Sequence, residues 1–319
     1  MHGLGNSVDE IKRRIRFCDY LSVAQIYLQD NFLLERPLEP ADIKPNIFGH
    51  WGTCHGIDVA YVNLKTWFTN TSRPPRPNFQ FILGPGHGFP ALQANLFFDG
   101  DLAPYYPAAT RDLEGITYIC KEFSKGYGFP SHSSPATPGV IVEGGELGYC
   151  LAAAYGAALG RSDDFIAVLI GDGELETATA LASLNLHRLI NSPSHAQILP
   201  ILHLNGYKIS GPTIYGRMSE RELLQLFRGF GYDPRLIDGE DTAAFQLTLQ
   251  SLEPNTFIIM RTAKGATGPT ELHGEKIADN YLSHQVPLPS VKTDPEQLQM
   301  LNDWLASYKF KELYDKFTR

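Results

Sequence analysis

FIAVLIG at 165–171 and QILPILHLN at 197–205 decide the fold. Each is a largely apolar run of strand length ending in a glycine or a polar residue, the pattern of a central parallel strand covered on both faces. Between them stands ELETATALASLNLHRLIN (174–191), with Ala and Leu at helical spacing, so 165–205 reads as a β-α-β unit. Working outward, strands are predicted at Phe79–Leu83 and Thr256–Arg261. Helices are predicted over Glu146–Leu159, over Glu220–Phe230 behind the capping box Ser219-x-x-Glu222, and over Pro295–Phe317 behind Asp294. The sum is an α/β fold: a doubly wound, mostly parallel sheet flanked by helices.

The rest of the chain is expected to belong to the same single domain, 1–319. It has a loop-rich N-terminal segment (about 1–78) and a C-terminal helix (about 294–317). Pro, Gly, aromatic residues and His concentrate in 36–140, and loops of that kind are usually kept for a site. Thr69–Pro77 (TNTSRPPRP) is the best candidate for an exposed surface loop, and 262–293 reads as an irregular excursion.

Composition excludes several classes. The chain carries 27 Lys+Arg against 35 Asp+Glu, a net charge of −8, with no basic run, which argues against nucleic-acid binding and requires any anion to be held locally. The N-terminus, MHGLGNSVDEIKRRIRF, mixes acids and bases and has no apolar core of the kind a secretory signal needs. Its apolar runs are far short of the ~20 residues that span a bilayer, so no membrane association is expected. Cys18, Cys54, Cys120 and Cys150 are widely spaced with no C-x-x-C pair, arguing against a zinc site or a disulfide framework and for a reducing, cytoplasmic setting.

Chemistry concentrates at the two strand ends. Gly171-Asp172-Gly173-Glu174 follows the first buried strand, and Asn205-Gly206-Tyr207 follows the second. In an open parallel sheet, ligands sit outside the carboxyl ends of the strands, so Asp172 and Asn205 can converge on one point. A carboxylate and an amide oxygen are hard ligands suited to Mg²⁺, which completes its six-oxygen shell with phosphate oxygens. Gly171 and Gly173 allow close backbone approach to a diphosphate, and a helix starting near Glu174 would aim amide groups at it. Taken singly, GDGE and NGY are also ordinary turn formers; it is the pair, about thirty residues apart, that favours the metal reading. No G-x-x-x-x-G-K-[ST] occurs, and GPGHG at 84–88 fails G-x-G-x-x-G because Phe89 replaces the third glycine.

Four histidines stand in loop sequences: His50, His87, His132 and His284. A lone loop histidine is commonly solvated, but several together suit proton transfer on a hydroxylated, anionic substrate. His203 reads as a core residue, and His55 is left open. Lys264, after another strand end, reads equally as a phosphate ligand or a solvated lysine. The glycines of Gly144-Gly145-Glu146-Leu147-Gly148 serve either a cofactor or helix packing.

These residues fall within longer runs. GHWGTC (49–54), GPGHGFPA (84–91), PSHSSPATPG (130–139), EGGELGY (143–149), GDGELET (171–177), LPILHLNGYKISGPT (199–213), LFRGFGY (226–232) and RTAKGATGP (261–269) with SHQVPL (283–288) resemble, in order and approximate spacing, the motifs of the phosphoketolases. Those are thiamine diphosphate enzymes of the transketolase superfamily. They cleave xylulose 5-phosphate or fructose 6-phosphate with inorganic phosphate to give acetyl phosphate and an aldose phosphate. GDG followed about thirty residues later by Asn is their cofactor signature.

The resemblance implies that Asp172, Asn205 and the Tyr207 carbonyl hold Mg²⁺, and that Thr53, Gly145, Gly173, Glu174, Lys264 and His132 surround the thiamine diphosphate. His50, His87, His132 and His284 would line the substrate channel and move protons. Two departures stand out: His55 where the family often has proline, and Phe89 where it often has a second glycine. The resemblance covers the family's first, diphosphate-binding (PP) domain. It therefore implies that a pyrimidine-binding (PYR) domain comes from a partner subunit, as in a heterotetramer, docking on an exposed apolar face. A PP domain excised from a full-length phosphoketolase and a non-catalytic cofactor-binding protein are the alternatives.

Overall fold

The computed structural model describes residues 2–71, 78–190 and 194–317. They divide into two compact units, Met1–Asp58, His87–His132 and Lys264–Arg319 in the first, Val59–Gly86 and Ser133–Ala263 in the second.

The second unit holds the sheet: β1 (Asn78–Leu83), β2 (Asp164–Gly171), β3 (Gln197–Leu204), β4 (Asp233–Asp238) and β5 (Thr256–Arg261), in the order β1-β2-β3-β5-β4 with every neighbouring pair parallel. The two runs that decide the fold are therefore adjacent strands, in register from Phe165 opposite Gln197 to Gly171 opposite His203. Both faces are covered. Ile166, Val168 and Ile170 pack with Leu202, Phe257 and Ile259 against residues that include Ala154, Ala180 and Phe227 of helices on one side. On the other, Trp67 and Phe68 meet Phe165. Burial on both sides is why these strands read as continuous apolar runs rather than alternating ones.

The helices are α1 (His2–Tyr27), α2 (Cys54–Thr71), α3 (Phe89–Asp99), α4 (Leu113–Glu122), α5 (Cys150–Ala158), α6 (Ala178–Ser183), α7 (Glu220–Phe230), α8 (Thr242–Gln250), α9 (Pro295–Ser307) and α10 (Phe310–Phe317). The capping box on α7 forms as predicted, with Ser219 accepting from the Glu222 amide and Glu222 reaching back to the Ser219 amide. In the first unit α1 packs on α3, α4 and α10, and Tyr20 stacks on Phe310 with ring centroids 3.9 Å apart.

Several expectations are corrected. The segment expected to be loop-rich over 1–78 carries the long helices α1 and α2; its proline and glycine density lies between them. The crossover from β2 to β3 is a 3₁₀ turn (Glu174–Glu176), the short α6 and a second 3₁₀ turn (Leu186–Leu189) rather than one helix. Thr177 is extended there and caps α6 with its hydroxyl, and the His187 ring donates to the Leu184 carbonyl. The helix predicted from Glu146 starts only at Cys150, because Gly148 takes φ +99° and donates its amide to the Glu174 carboxylate. The C-terminal helix over 294–317 is two helices, interrupted where Lys309 turns left-handed at φ 52°. Of the surface loop predicted over Thr69–Pro77, Thr69–Thr71 form the exposed end of α2 and 72–77 lie outside the described residues. Among the described residues, no helix is long and apolar enough to cross a membrane, and all four cysteines are buried and unbonded to one another.

Candidate active site

In the second unit, the strand ends bring Asp172 and Asn205 to the same edge. Asp172 follows β2 and its amide donates to the His203 carbonyl at 3.2 Å, while Asn205 follows β3 directly. Asp172 is 3% exposed. Its Oδ1 accepts from the Gly173 amide at 2.9 Å, and its Oδ2 accepts from the Gly206 amide at 2.7 Å and the Thr213 hydroxyl at 3.0 Å. Asn205 Oδ1 accepts from the Tyr207 amide at 3.1 Å, and Gly206 between them adopts φ +84°. The carboxylate is thus held rigidly by three donors.

Among the described residues no group of three or more His, Cys, Asp or Glu could hold a metal ion. The groups that the two strand ends offer, a carboxylate and a side-chain amide, are of the kind that suits a hard cation rather than zinc.

Glu174 is buried, and burial raises its carboxyl pKa. Its Oε1 accepts from the Gly148 amide and its Oε2 from the Gly171 amide, so it ties the approach to α5 to the end of β2. Gly145 has nothing around it that a Cβ would meet, whereas its neighbour Gly144 is the crowded one. A Cβ on Gly144 would sit 2.4 Å from Ser133 Oγ and 2.7 Å from Gly86 Cα. Of the two roles open to these glycines, close packing falls to Gly144, because GG alone carries no sign of which member is pressed. Gly173 is less tight, with Lys208 Cβ at 3.3 Å from its virtual Cβ.

The first unit gathers the four histidines. Ring centroids lie 5.3 Å apart for His50 and His87, 5.0 Å for His50 and His132, 5.3 Å for His50 and His284, and 4.9 Å for His87 and His284. Backbone hydrogen bonds explain the convergence: the Trp51 amide donates to the Gln285 carbonyl and the Gly265 amide to the Gly52 carbonyl. A Cβ on Gly52 would be 2.6 Å from the Ser283 carbonyl oxygen, so glycine alone lets the 264–265 and 283–285 segments close on this loop. Lys264, left open between ligand and solvated lysine, is buried at 2% exposure beside them. Thr53 is buried too, next to Gly88.

Burial, then His132 and Lys264, lowers the His50 pKa to about 4; burial, then Lys264 and its neighbours, lowers His284 to about 3. His87 moves the same way, through burial, then His284, His50, Lys264 and His132. All three are therefore neutral at pH 7, able to accept a proton or donate one hydrogen bond. His50 Nδ1 and His284 Nδ1 are buried without a hydrogen-bond partner. Two orphaned imidazole nitrogens in a positively charged setting fit an anionic or hydroxylated ligand. His132 Nδ1 lies 3.0 Å from Ser131 Oγ.

His203, by contrast, is the core residue expected, 2.8 Å from Thr262 Oγ1. His55 proves to belong to a buried network: its Nδ1 is 2.9 Å from Asp19 Oδ2, and Asp58, one turn on in α2, accepts from Asn95 Nδ2 at 2.6 Å. Sequence reading passed over Asp19 and Asp58 because each lies in an otherwise apolar helical stretch. The i, i+3 spacing of His55 and Asp58 was the available signal.

Residues 5–253 and 246–319 match the family model described as XFP N-terminal domain. The chain belongs to that family. It is 40% identical over 334 residues to a probable phosphoketolase of Bradyrhizobium diazoefficiens, an alignment covering 97% of this chain and 41% of the relative. It is 42% identical over 323 residues to probable phosphoketolase 2 of Nostoc sp., covering 94% and 40%. The chain thus spans about two fifths of the length of the curated relatives it matches. Among solved structures it resembles transketolase from Campylobacter jejuni, with TM-score 0.62, 20% identity, and coverage of 97% of this chain and 48% of that one. A transketolase mutant from Pichia stipitis gives TM-score 0.64 at 16% identity, with 97% and 44% covered. At such identities the likeness shows the fold alone, an α/β domain with a parallel sheet flanked by helices, as the sequence predicts.

Proposed function

We propose that the chain is the PP component of a thiamine diphosphate-dependent, phosphoketolase- or transketolase-like enzyme that cleaves a ketose phosphate and passes on or releases a two-carbon unit. The observation that carries the reading is the placement of Asp172 and Asn205 at the ends of adjacent parallel strands, in a chain of the XFP N-terminal domain family. Asp172, Asn205 and the Tyr207 carbonyl would hold Mg²⁺, and Thr53, Gly145, Gly173, Glu174 and Lys264 would surround the cofactor. Bound there, the cofactor would supply the carbanion that opens the ketose. Among this chain's own groups, neutral His50, His87 and His284 are fit to take and return protons of sugar hydroxyls, and His132 to orient them. Lys264, buried beside the histidines, disfavours their protonated forms until an anion arrives.

The longer relatives support a second component, and so do exposed apolar side chains beside the metal residues: Ile209 at 68% and Ile214 at 60% exposure after β3, with Ile141, Leu147 and Tyr149 on the loop before α5. A PYR-bearing partner subunit, in a cytoplasmic complex, is the proposed occupant, and the chain alone would be inactive.

Calorimetric titration of the chain with thiamine diphosphate, with and without Mg²⁺, tests the cofactor reading. Asp172→Asn keeps the side-chain shape but turns an amide toward the Gly206 and Thr213 donors. It should abolish the Mg²⁺-dependent component while far-UV circular dichroism is retained. Unchanged affinity sinks the assignment. Pull-down from the native lysate, with assay of the mixture for acetyl phosphate from xylulose 5-phosphate, tests the partner. Recovery of no PYR-bearing protein would favour a different arrangement.

A further inference from the structure

The first unit carries a half-open hollow of about 630 Å³, lined among others by Lys44, Lys121, Lys125, Phe48, Phe123 and Asp30. That is the size of a small-molecule site. Three lysines around one hollow are an exception in a chain of net charge −8. Lys44 is the anomalous one. It is 8% exposed, its Nζ donates to the Gln25 carbonyl, and it lies 5.4 Å from the centroid of the Phe123 ring. Among the described residues no carboxylate forms an ion pair with Lys44 or with Lys121, whereas Lys125 pairs with Glu122 at 2.9 Å. A buried ammonium without a direct ion-pair partner is costly, and burial draws the Lys44 pKa down to about 8 against the smaller opposing charge of Glu122. One of its three N–H donors is taken by Gln25, leaving two. Phe48, edge-on to His50 on one side and 49% exposed, adds an apolar surface to the cavity wall.

We infer that this cavity binds a small organic phosphate, its phosphate on Lys44 and Lys121 with Lys125 assisting, and its apolar or planar body against Phe48. Phe48 borders the histidine cluster, edge-on to His50 with ring centroids 6.0 Å apart, but the three lysines that carry the inference belong neither to that cluster nor to the strand ends.

Phenyl phosphate, inorganic phosphate and phenol titrated calorimetrically into the 319-residue chain test it. Phenyl phosphate should bind about 2–10-fold more tightly than inorganic phosphate, through ring contacts, and phenol should not bind measurably. Removing a charged donor typically weakens a contact about 10–100-fold, so Lys44→Met should do so, and the exposed double variant Lys121→Ala/Lys125→Ala should lose about tenfold without touching the core. Lys264→Met should leave the affinity unchanged. Amine acylation read by mass spectrometry should show phenyl phosphate protecting the Lys44 peptide and not the Lys264 peptide. Protection at Lys264 instead, phenol binding as well as phenyl phosphate, or unchanged affinity in the double variant would each overturn the inference.

Discussion

Replacing Asp58 with Asn should leave stability little changed in acid and make the chain progressively more stable than its parent as pH rises. Asp58 is fully buried in the first turns of α2, and burial, then the charge of Asp19 and a hydrogen bond with it, raises its carboxyl pKa well above the usual range. The native state therefore keeps Asp58 protonated, donating to Asp19 and accepting from Asn95 Nδ2. An unfolded Asp ionises near pH 3.9, so above that the native state holds a proton the unfolded state has released. The stability this proton confers is complete below the unfolded value and is lost as pH climbs toward the shifted one, by up to about 1.4 kcal/mol per pH unit. Asn is isosteric with the neutral acid: its amide can donate to Asp19 and its oxygen accept from Asn95, and it cannot ionise. Between pH 5 and pH 7 the variant should gain up to about 2.7 kcal/mol relative to the parent. Urea unfolding followed by tryptophan fluorescence at pH 5, 6 and 7 measures this, with Trp51 and Trp304 both buried as reporters. His55 faces Asp19 in both proteins, so its titration largely cancels in the difference. A gap that stays constant across the three pH values would refute the shared-proton description of the pair.

Three further outcomes are expected. Because His50 and His284 are held near 4 and 3, below the ~6.5 of an unfolded imidazole, the chain should lose stability as pH falls from about 6.5 toward those values. His284→Gln should flatten that acid limb in pH-dependent melts, and an unaltered slope would mean the ring is not buried in neutral form. Gly144→Ala places a methyl against Ser133 Oγ and the Gly86 backbone and should cost about 1–3 kcal/mol in chemical unfolding, with parental stability counting against the packing described. Glu174→Gln leaves either the Gly148 or the Gly171 amide facing a donor and should cost a similar 1–3 kcal/mol, which thermal melts would detect.

What could be read from the sequence follows from where burial is uniform. β2, β3 and β5 are covered on both faces and so announce themselves as apolar runs. β4, DPRLID, gives no strand signal, because an edge strand buried only at Pro234 and Ile237, with two acids, has the composition of a loop. The break at Lys309 is invisible to a periodic reading, since FKELYDKF continues the helical pattern in a new phase. The four histidines were legible because Gly, Ser and Pro around them mark loops; their mutual contacts were not, because three chain segments far apart in sequence deliver them. Lys264 shows the same limit, as its burial depends on the Gly52 and Ser283 backbones rather than on its neighbours.

The interleaving of the two units has a consequence for biosynthesis. Every residue of the sheet-bearing unit has been translated once the ribosome passes Ala263, and its β-α-β core can close then. The helical unit still waits for Lys264–Arg319, which carry two of the five cluster groups, Lys264 and His284, and the α10 surface that seats Tyr20. A nascent chain at that stage would hold a finished sheet and an α1 whose Tyr20 still lacks its stacking partner Phe310. Chaperone dependence should therefore be greatest while residues 264–319 are being made, and ribosome stalling within that stretch would strand the histidines without the segment that gathers them.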